Sequence, residues 1–496
     1  MSTSTEQRPS AAPPASPRPP GRLGGWIPQA IAAIAVVGCL AGLFNSSTAP
    51  VAGGFVVALM IVLMFMGVPV AVALAVPSLV GIYAIAGIPA TINVLSTAPH
   101  QAVSSWSLSV LPMFIFMGML LSSSGLATTM YRAADAWFGR LPGGIGIGTT
   151  AAGAGLSSVS GSTIGMTYTL GQVGIPEMLK AGYDRRVAVG TVLVAGLPGN
   201  LIPPSILLVV YAGLASVPVG PQLIAGLLPG ILIALTFGIF LLVLGLAVPS
   251  LVGRTKGVAS AGVGWRHKLL TLRDMWSFPV IIIVLFGTMF TGIFTPTEAG
   301  AAAAMVTLFV AAWNARRTGV QKMLTEAAVK TVSATAAIFF LLIGAELLTR
   351  VLAISGLARV MTDFVVDLGL GKVAFLLALV VLYVVMGMFF DTLSMMLLTI
   401  PLLLPTLALM DINLLWYGVF VVILGELAMI TPPVGVLSYV VHSIAQRPEV
   451  NMGQTITLKD VFTSLLWFLP LVGLFLIAMI FTPAIATWLP SLMSVT

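Results

Sequence analysis

Charge is what this sequence has least of. Of its 496 residues, 22 are Lys or Arg and 15 are Asp or Glu, so that 7% are charged while 58% are hydrophobic. Soluble domains carry charge on about a quarter of their residues, so this scarcity excludes a soluble globular domain and points to a polytopic membrane protein in a lipid bilayer. Cysteine is scarcer still. Cys39 stands alone inside an apolar run, which excludes an intramolecular disulfide and reads as a small packing residue. The three histidines, His100, His267 and His442, are too scattered for a metal site; His442 reads either as packed or as proton-linked. With no His-Glu-x-x-His, Ser/His or paired-Asp motif, the sequence offers an intramembrane enzyme no machinery. The formal net charge of +7 would suit a nucleic-acid partner, but the basic residues lie in short links between apolar runs and read as orientation signals, so no nucleic acid is expected.

What is abundant is apolar sequence interrupted by glycine and proline. Residues 1–24 are rich in Pro, Ser, Ala and Thr and bury too little to order themselves, so they read as a cytoplasmic tail. A cleaved signal peptide is the alternative, disfavoured by the tail's length and the absence of a small-residue cleavage site. One extra transmembrane helix is expected at 25–45, with its span from Trp26 to Phe44. Further apolar runs follow at 53–66 and 68–87, hinged at Gly67-Val68-Pro69, then at 108–123, 203–218, 222–247, 277–293, 297–313 and 332–350. The link 251–275 carries Arg254, Lys256, Arg266, Lys268 and Arg273 against Asp274, and the next holds Arg316, Arg317, Lys322 and Lys330 against Glu326. The positive-inside rule places both in the cytoplasm, and the count puts the N-terminus there and the C-terminus in the periplasm.

The proline and glycine skeleton occurs twice. Gly196, Pro203 and Pro204 return as Gly425, Pro432 and Pro433, and Pro176 returns as Pro405, all at one offset (425 − 196 = 229). Upstream, Ser124-Gly125-Leu126-Ala127 with Met130 returns as Ser355-Gly356-Leu357-Ala358 with Met361, two residues out of that register (355 − 124 = 231). The expected division is a first repeat over 53–250, with a hairpin at 146–180 and a broken helix at 187–218. A second part over 276–490 holds a hairpin at 373–410 and a broken helix at 413–445. The first repeat's core is flanked by Arg132, Arg140, Lys180, Arg185 and Arg186, the second's by more acid, so the two are expected to enter from opposite faces.

Each hairpin region is too short for two full crossings of roughly 20 residues, which predicts two half-length helices meeting at a polar tip. The first tip is Ser157-Ser158-Val159-Ser160-Gly161-Ser162-Thr163 and the second Gly387-Met388-Phe389-Phe390-Asp391-Thr392-Leu393-Ser394. Paired prolines then break the run Gly196 to Ser205 and the run Gly425 to Gly435, leaving carbonyls unpaired. Carbonyls and hydroxyls together suit a hard cation such as sodium, and half-helix N-termini suit a carboxylate. A single proline in a membrane helix is usually a kink; two broken runs at one offset, each preceded by a polar tip, favour a transport site. Asp391 is the sharpest candidate, as an intramembrane carboxylate, and a partner for a nearby helix end is its structural reading. Glu426 and Glu346 face the same choice; Glu346 with Arg350 reads as a local i,i+4 pair. Thr295-Pro296-Thr297-Glu298 reads as a helix start with a capping box.

Taken together, these residues resemble a known family. Ser160-Gly161-Ser162, Pro176-Glu177-Met178-Leu179-Lys180-x-Gly182-Tyr183-Asp184, Leu201-Ile202-Pro203-Pro204-Ser205, Phe294-Thr295-Pro296-Thr297-Glu298-Ala299-Gly300 and Ile430-Thr431-Pro432-Pro433-Val434-Gly435 resemble the large membrane subunit of tripartite ATP-independent periplasmic (TRAP) transporters, over about residues 54–490. The resemblance implies an all-α elevator fold of the ion-transporter superfamily, with inverted repeats, two re-entrant hairpins and two broken helices. It implies sodium-coupled uptake, across the bacterial inner membrane, of an organic acid such as a C4-dicarboxylate or sialic acid. The implied partners are a periplasmic solute-binding protein and a small four-helix membrane subunit. Sodium ligands carried over are Ser160, Thr163, Gly199, Ile202 and Pro203 in the first repeat, and Asp391, Thr392, Met429 and Thr431 in the second. Thr163 stands where the family usually has serine, and keeps a hydroxyl. Candidate substrate contacts are Ser162, Asn200, Pro204, Ser205, Ser394, Pro432 and Pro433. A stand-alone carrier of the same superfamily, working without a binding protein, is the rival within transport.

Overall fold

A computed structural model of the chain describes residues 26–123, 126–253, 270–271, 276–316 and 319–493. The tail read at 1–24 and most of the basic link at 251–275 lie outside the described residues. The regular structure is helical, with one isolated antiparallel bridge between Tyr183 and Val252. Six of the described helices are long and apolar enough to cross a membrane.

The described residues begin with helix α1 (Trp26–Phe44), followed by α2 (Ala49–Phe65), α3 (Val70–Val103) and α4 (Val110–Ser123). The amphipathic α5 (Leu126–Phe138) leads into a hairpin of α6 (Gly144–Ser160) and α7 (Thr163–Lys180). Then α8 (Arg185–Ala195) breaks and resumes as α9 (Ile206–Leu214), and α10 (Val219–Ala247) ends this half. After α11 (Ser277–Phe290), α12 (Pro296–Ala315) and α13 (Val320–Ser355), the same order returns. A short amphipathic α14 (Leu357–Asp367) precedes a hairpin of α15 (Lys372–Gly387) and α16 (Thr392–Leu409), and α17 (Leu414–Ile430) breaks and resumes as α18 (Val436–Ala445). A short α19 (Pro448–Asn451), α20 (Leu458–Phe481) and α21 (Ala484–Ser491) complete the chain.

Two of the expected spans are longer than read. The run expected to end at residue 87 continues to Val103 through a kink at Gly87 (φ 76°, ψ −177°), a conformation that L side chains avoid. Pro89 follows at once, at the start of the second segment, where its missing N–H costs nothing. The basic link after Ala315 also differs: its second half is helical, because α13 starts at Val320 and runs 36 residues, about 54 Å. Lys322, Glu326 and Lys330 thus occupy its first three turns, with Lys330 and Glu326 paired at 3.3 Å, so helix propensity and an i,i+4 ion pair prevail where apolar sequence has not yet begun. Other local readings stand as made. Thr295 and Glu298 form a capping box at the start of α12, and Glu346 pairs with Arg350 at 2.9 Å.

Helices α2, α3, α4, α12 and α13 pack into one group, with α3 lying along α13. Close approach there requires glycine: a Cβ at Gly81 would meet Val56 Cγ2 at 2.3 Å and Val351 Cγ2 at 3.0 Å. In lipid, where apolar side chains gain nothing by leaving solvent, such small-residue contacts hold helices together. The other group is built around α8 and α17, in which every residue of Val187–Ala195 and Trp416–Ile430 is buried. Helices apolar on all sides belong inside a protein, and these two are the first halves of the broken helices.

Two long helices measure how the hairpins face each other. Asp184, at the base of the first hairpin, donates its backbone N–H to Leu251 O just beyond the C-terminal end of α10, whereas Gln222 near the N-terminus of α10 donates to Leu415 O at the base of the second (2.9 and 3.2 Å). Likewise α20 meets Arg185 and Arg186 through Asp460 at its N-terminus (3.2 Å each), and its Met479 O accepts from Trp416 Nε1 at the other end (3.1 Å). At 24 residues α20 is about 36 Å long, so the two hairpin bases lie at opposite ends of the bundle and their tips point toward one another.

Candidate functional site

Each tip is closed by its own sequence. In the first, Gly161 ends α6 in the left-handed conformation (φ 60°) and Ser162 caps α7 by accepting from Gly165 N at 3.2 Å. In the second, the N–H groups of Phe389 and Phe390 both reach Met386 O at 3.0 Å, and Asp391 caps α16 by accepting from Ser394 N at 3.4 Å and from the Ser394 hydroxyl. Ser162 and Asp391 stand at one repeat offset (391 − 162 = 229). Both therefore do the same local work. Asp391 takes the helix-end role, and Ser394 is its partner.

The next residue in each hairpin carries the site. Thr163 and Thr392, again 229 apart, are the first residues of α7 and α16, and both are buried. Thr163 Oγ1 donates to Glu426 Oε2 at 3.0 Å and Thr392 Oγ1 donates to Glu426 Oε1 at 3.1 Å. One carboxylate, 3% exposed, thus joins the two hairpins, one oxygen to each. Glu426 comes from the buried half of α17, and its position in the first repeat is Leu197 (426 − 197 = 229), so a near-symmetric site is broken by one charge. Two hydroxyls and the N-terminal ends of α7 and α16 are what the Glu426 carboxyl group meets there.

The first broken helix enters the same network. After α8 the chain makes a 3-10 turn over Pro198–Asn200. Asn200 Nδ2 donates to Thr163 Oγ1 at 2.5 Å, and Asn200 Oδ1 accepts from Ser157 Oγ at 2.9 Å. The turn approaches α6 so closely that a Cβ at Gly199 would lie 2.2 Å from Ala154 O. Ser205 caps α9 and donates to Asn200 O. On the other side Thr392 Oγ1 also reaches Met429 Sδ at 3.2 Å. The break after α17 runs from Thr431 to Gly435, with the Thr431 hydroxyl bonded back to Leu427 O at 2.7 Å and Ser438 Oγ donating to Ile430 O at 3.2 Å. Both double-proline bonds, Pro203-Pro204 and Pro432-Pro433, are cis.

Of the residues named from sequence, Thr163, Asn200, Thr392 and Met429 meet in one hydrogen-bonded cluster, with Gly199 packed beside it. Ile202, Pro203, Pro204, Thr431, Pro432 and Pro433 line the two breaks, Pro433 on the surface. Ser160 ends α6, and its side chain is outside the described set. Two members were missed. In the sequence Glu426 carries the same two readings as Asp391, and Ser157 is one residue of the first tip. The signal for Glu426 lies in the repeat register, as the one acid opposite a leucine when the broken runs are aligned. Among the described residues no group of three or more His, Cys, Asp and Glu could hold a metal ion.

The whole-chain comparisons now have a geometry to meet. The family model for the tripartite ATP-independent periplasmic transporter, DctM component, matches residues 57–486. The chain belongs to this family. The C4-dicarboxylate TRAP transporter large permease protein DctM of Vibrio cholerae is 29% identical over 460 residues, 88% of this chain and 96% of that protein. That of Pseudomonas aeruginosa is 30% identical over 408 residues, 81% and 90% of the two chains. Among solved structures, Neisseria gonorrhoeae MtrF superposes with a TM-score of 0.58 at 13% identity, covering 90% of this chain and 96% of that one, a likeness of fold. This DctM-family chain is therefore a multi-pass membrane protein and the large subunit of a TRAP transporter. The family is a transporter family, and its membership fits the six helices long and apolar enough to cross a membrane.

Proposed function

We propose that this TRAP large subunit carries out sodium-coupled secondary uptake of an organic acid across the inner membrane, the acid being delivered by a periplasmic solute-binding protein and the chain working with a small four-helix membrane subunit. The observation that carries the reading is the convergence of Thr163 and Thr392, equivalent residues of two oppositely directed hairpins, on the one buried carboxylate of Glu426 between two broken helices. Sodium is a co-substrate here. Its ligands come from hydroxyls and unpaired carbonyls at the tips and breaks, with Ser160, Thr163, Gly199, Ile202 and Pro203 on one side and Asp391, Thr392, Met429 and Thr431 on the other. The substrate carboxylate sits at the positive ends of the half-helices, near Ser162, Asn200, Pro204, Ser205, Ser394, Pro432 and Pro433. The repeats are inverted in the membrane with the first base cytoplasmic, a reading supported by the hairpin bases at opposite ends of the bundle and by Arg185 and Arg186 at the first base. The two half-sites then change access by moving as one block, with no unpaired backbone exposed to lipid.

The test is uptake into proteoliposomes containing this chain and its small subunit, with the binding protein outside and radiolabelled succinate or sialic acid as probe. An inward sodium gradient should drive accumulation, and dissipating it should abolish accumulation. Uptake that persists without sodium overturns the coupling, and full uptake without a binding protein favours the stand-alone carrier.

A further inference from the structure

A groove of about 450 Å³ runs between α7 and α18 on the side of the first hairpin's base. Its walls are Tyr168 and Tyr439, Ser443 and the aliphatic Val434, Val436, Val440 and Ile444. Val434 belongs to the second broken run, directly after Pro432-Pro433. At its rim the Arg447 guanidinium lies over the Tyr168 ring, 5.3 Å from the centroid. Tyr168 is five residues from Thr163, about 7.5 Å along the helix axis. Arg447 lies just past the end of α18 with its side chain exposed, beside Gln446, whose Nε2 donates to Ile456 O at 2.8 Å. Arg447 makes no ion pair among the described residues, and its donor fork is left open for a ligand.

We propose that this groove is a substrate subsite on the cytoplasmic side of the transport path, in which Arg447 binds the carboxylate of an organic monoacid and Tyr168 and Tyr439 hold its apolar or aromatic body. The proposal rests on the transport reading above and narrows its substrate. Charge complementarity decides between acid classes. A monoacid satisfies its one charge at Arg447 and sets its body against two rings and four aliphatic side chains. A short dicarboxylate brings a second charge to a groove whose lining residues include no cation, and the ring of His442 on the same helix is engaged outside that lining, its Nε2 lying 3.1 Å from Gln446 Nε2. The tyrosine faces supply apolar area at small cost in side-chain freedom, and guanidinium stacked on Tyr168 is held ready for a planar carboxylate.

Isothermal titration of the purified full chain with phenylacetate and with succinate tests the assignment. Phenylacetate should bind at least about tenfold more tightly than succinate. Arg447→Gln should weaken phenylacetate by about tenfold or more, while Arg447→Lys, which restores the charge without the fork, should recover part of that loss. Tyr168→Leu should weaken phenylacetate and leave succinate unchanged. Arg447 is exposed and lies beyond the end of α18, and elution as a single peak on size exclusion confirms that each variant is folded. Equal or tighter succinate binding, or an Arg447→Gln variant that binds phenylacetate like the wild type, overturns the subsite. The transport reading fails separately: Arg447-dependent phenylacetate binding with no sodium-driven uptake of any acid would leave the groove standing and remove the carrier.

Discussion

At the scale of single residues, Glu426 concentrates the chemistry, because its two oxygens accept from Thr163 and Thr392, one in each hairpin. Glu426→Gln keeps the volume but puts a donor where one threonine already donates. A lost hydrogen bond to a charged group costs about 1.5–3 kcal/mol, so sodium-driven uptake should fall about tenfold or more in a folded protein. Wild-type uptake would remove Glu426 from the mechanism. Thr163→Val and Thr392→Val should each weaken uptake by similar amounts, and the double variant by less than the product of the two, because both report on one carboxylate. Fully multiplicative losses would show that the hydroxyls act independently. Asp391 poses a different question, since it caps α16. Asparagine caps a helix as well as aspartate, so Asp391→Asn should leave thermal stability unchanged within about 0.5 kcal/mol. A loss of sodium dependence in that variant marks an ion ligand, and full retention marks a cap alone.

Among the elements, the two broken helices approach the hairpins through equivalent glycines with unequal tolerance. A Cβ at Gly425 would lie 2.5 Å from Thr392 Cγ2, a stiff β-branched side chain tied to Glu426. At Gly196 the nearest atom, 2.1 Å away, is Met166 Cε, the free end of a flexible side chain. Gly425→Ala should therefore displace the second tip and abolish most uptake, whereas Gly196→Ala should be accommodated with a modest change. Equal effects in transport and in thermal unfolding would contradict this account. The elements also separate what was legible from what was not. The hairpins, breaks and capping box could be read because their cues are local: glycine where φ is positive, proline where an N–H is missing, a hydroxyl or carboxylate at a helix start. The continuation of α3 past Gly87 and the start of α13 at Val320 could not, because polar or proline-bearing turns resemble link until neighbouring helices pack against them.

For the whole molecule, the opposed hairpins make a topological statement that labelling can check. In a Cys39→Ala background, Lys180→Cys should react with an impermeant thiol reagent only from the cytoplasmic side, and Asp411→Cys only from the periplasmic side, since both positions are exposed and α20 separates the two bases. Labelling of both from one face would make the repeats parallel in the membrane and remove the basis for alternating access. The membrane class, the repeat and the family motifs were determined by the sequence itself, because apolar length, charge bias and the placement of glycine and proline act through local chemistry and the bilayer. Which of three intramembrane acids stands at the centre was decided only in three dimensions. Asp391, Glu346 and Glu426 look alike in a chain. Folding turns the first onto its own helix end and the second onto Arg350, and leaves the third between two threonines 263 and 34 residues away. Contacts of that range depend on the packing of both hairpins against α17, which no local pattern encodes.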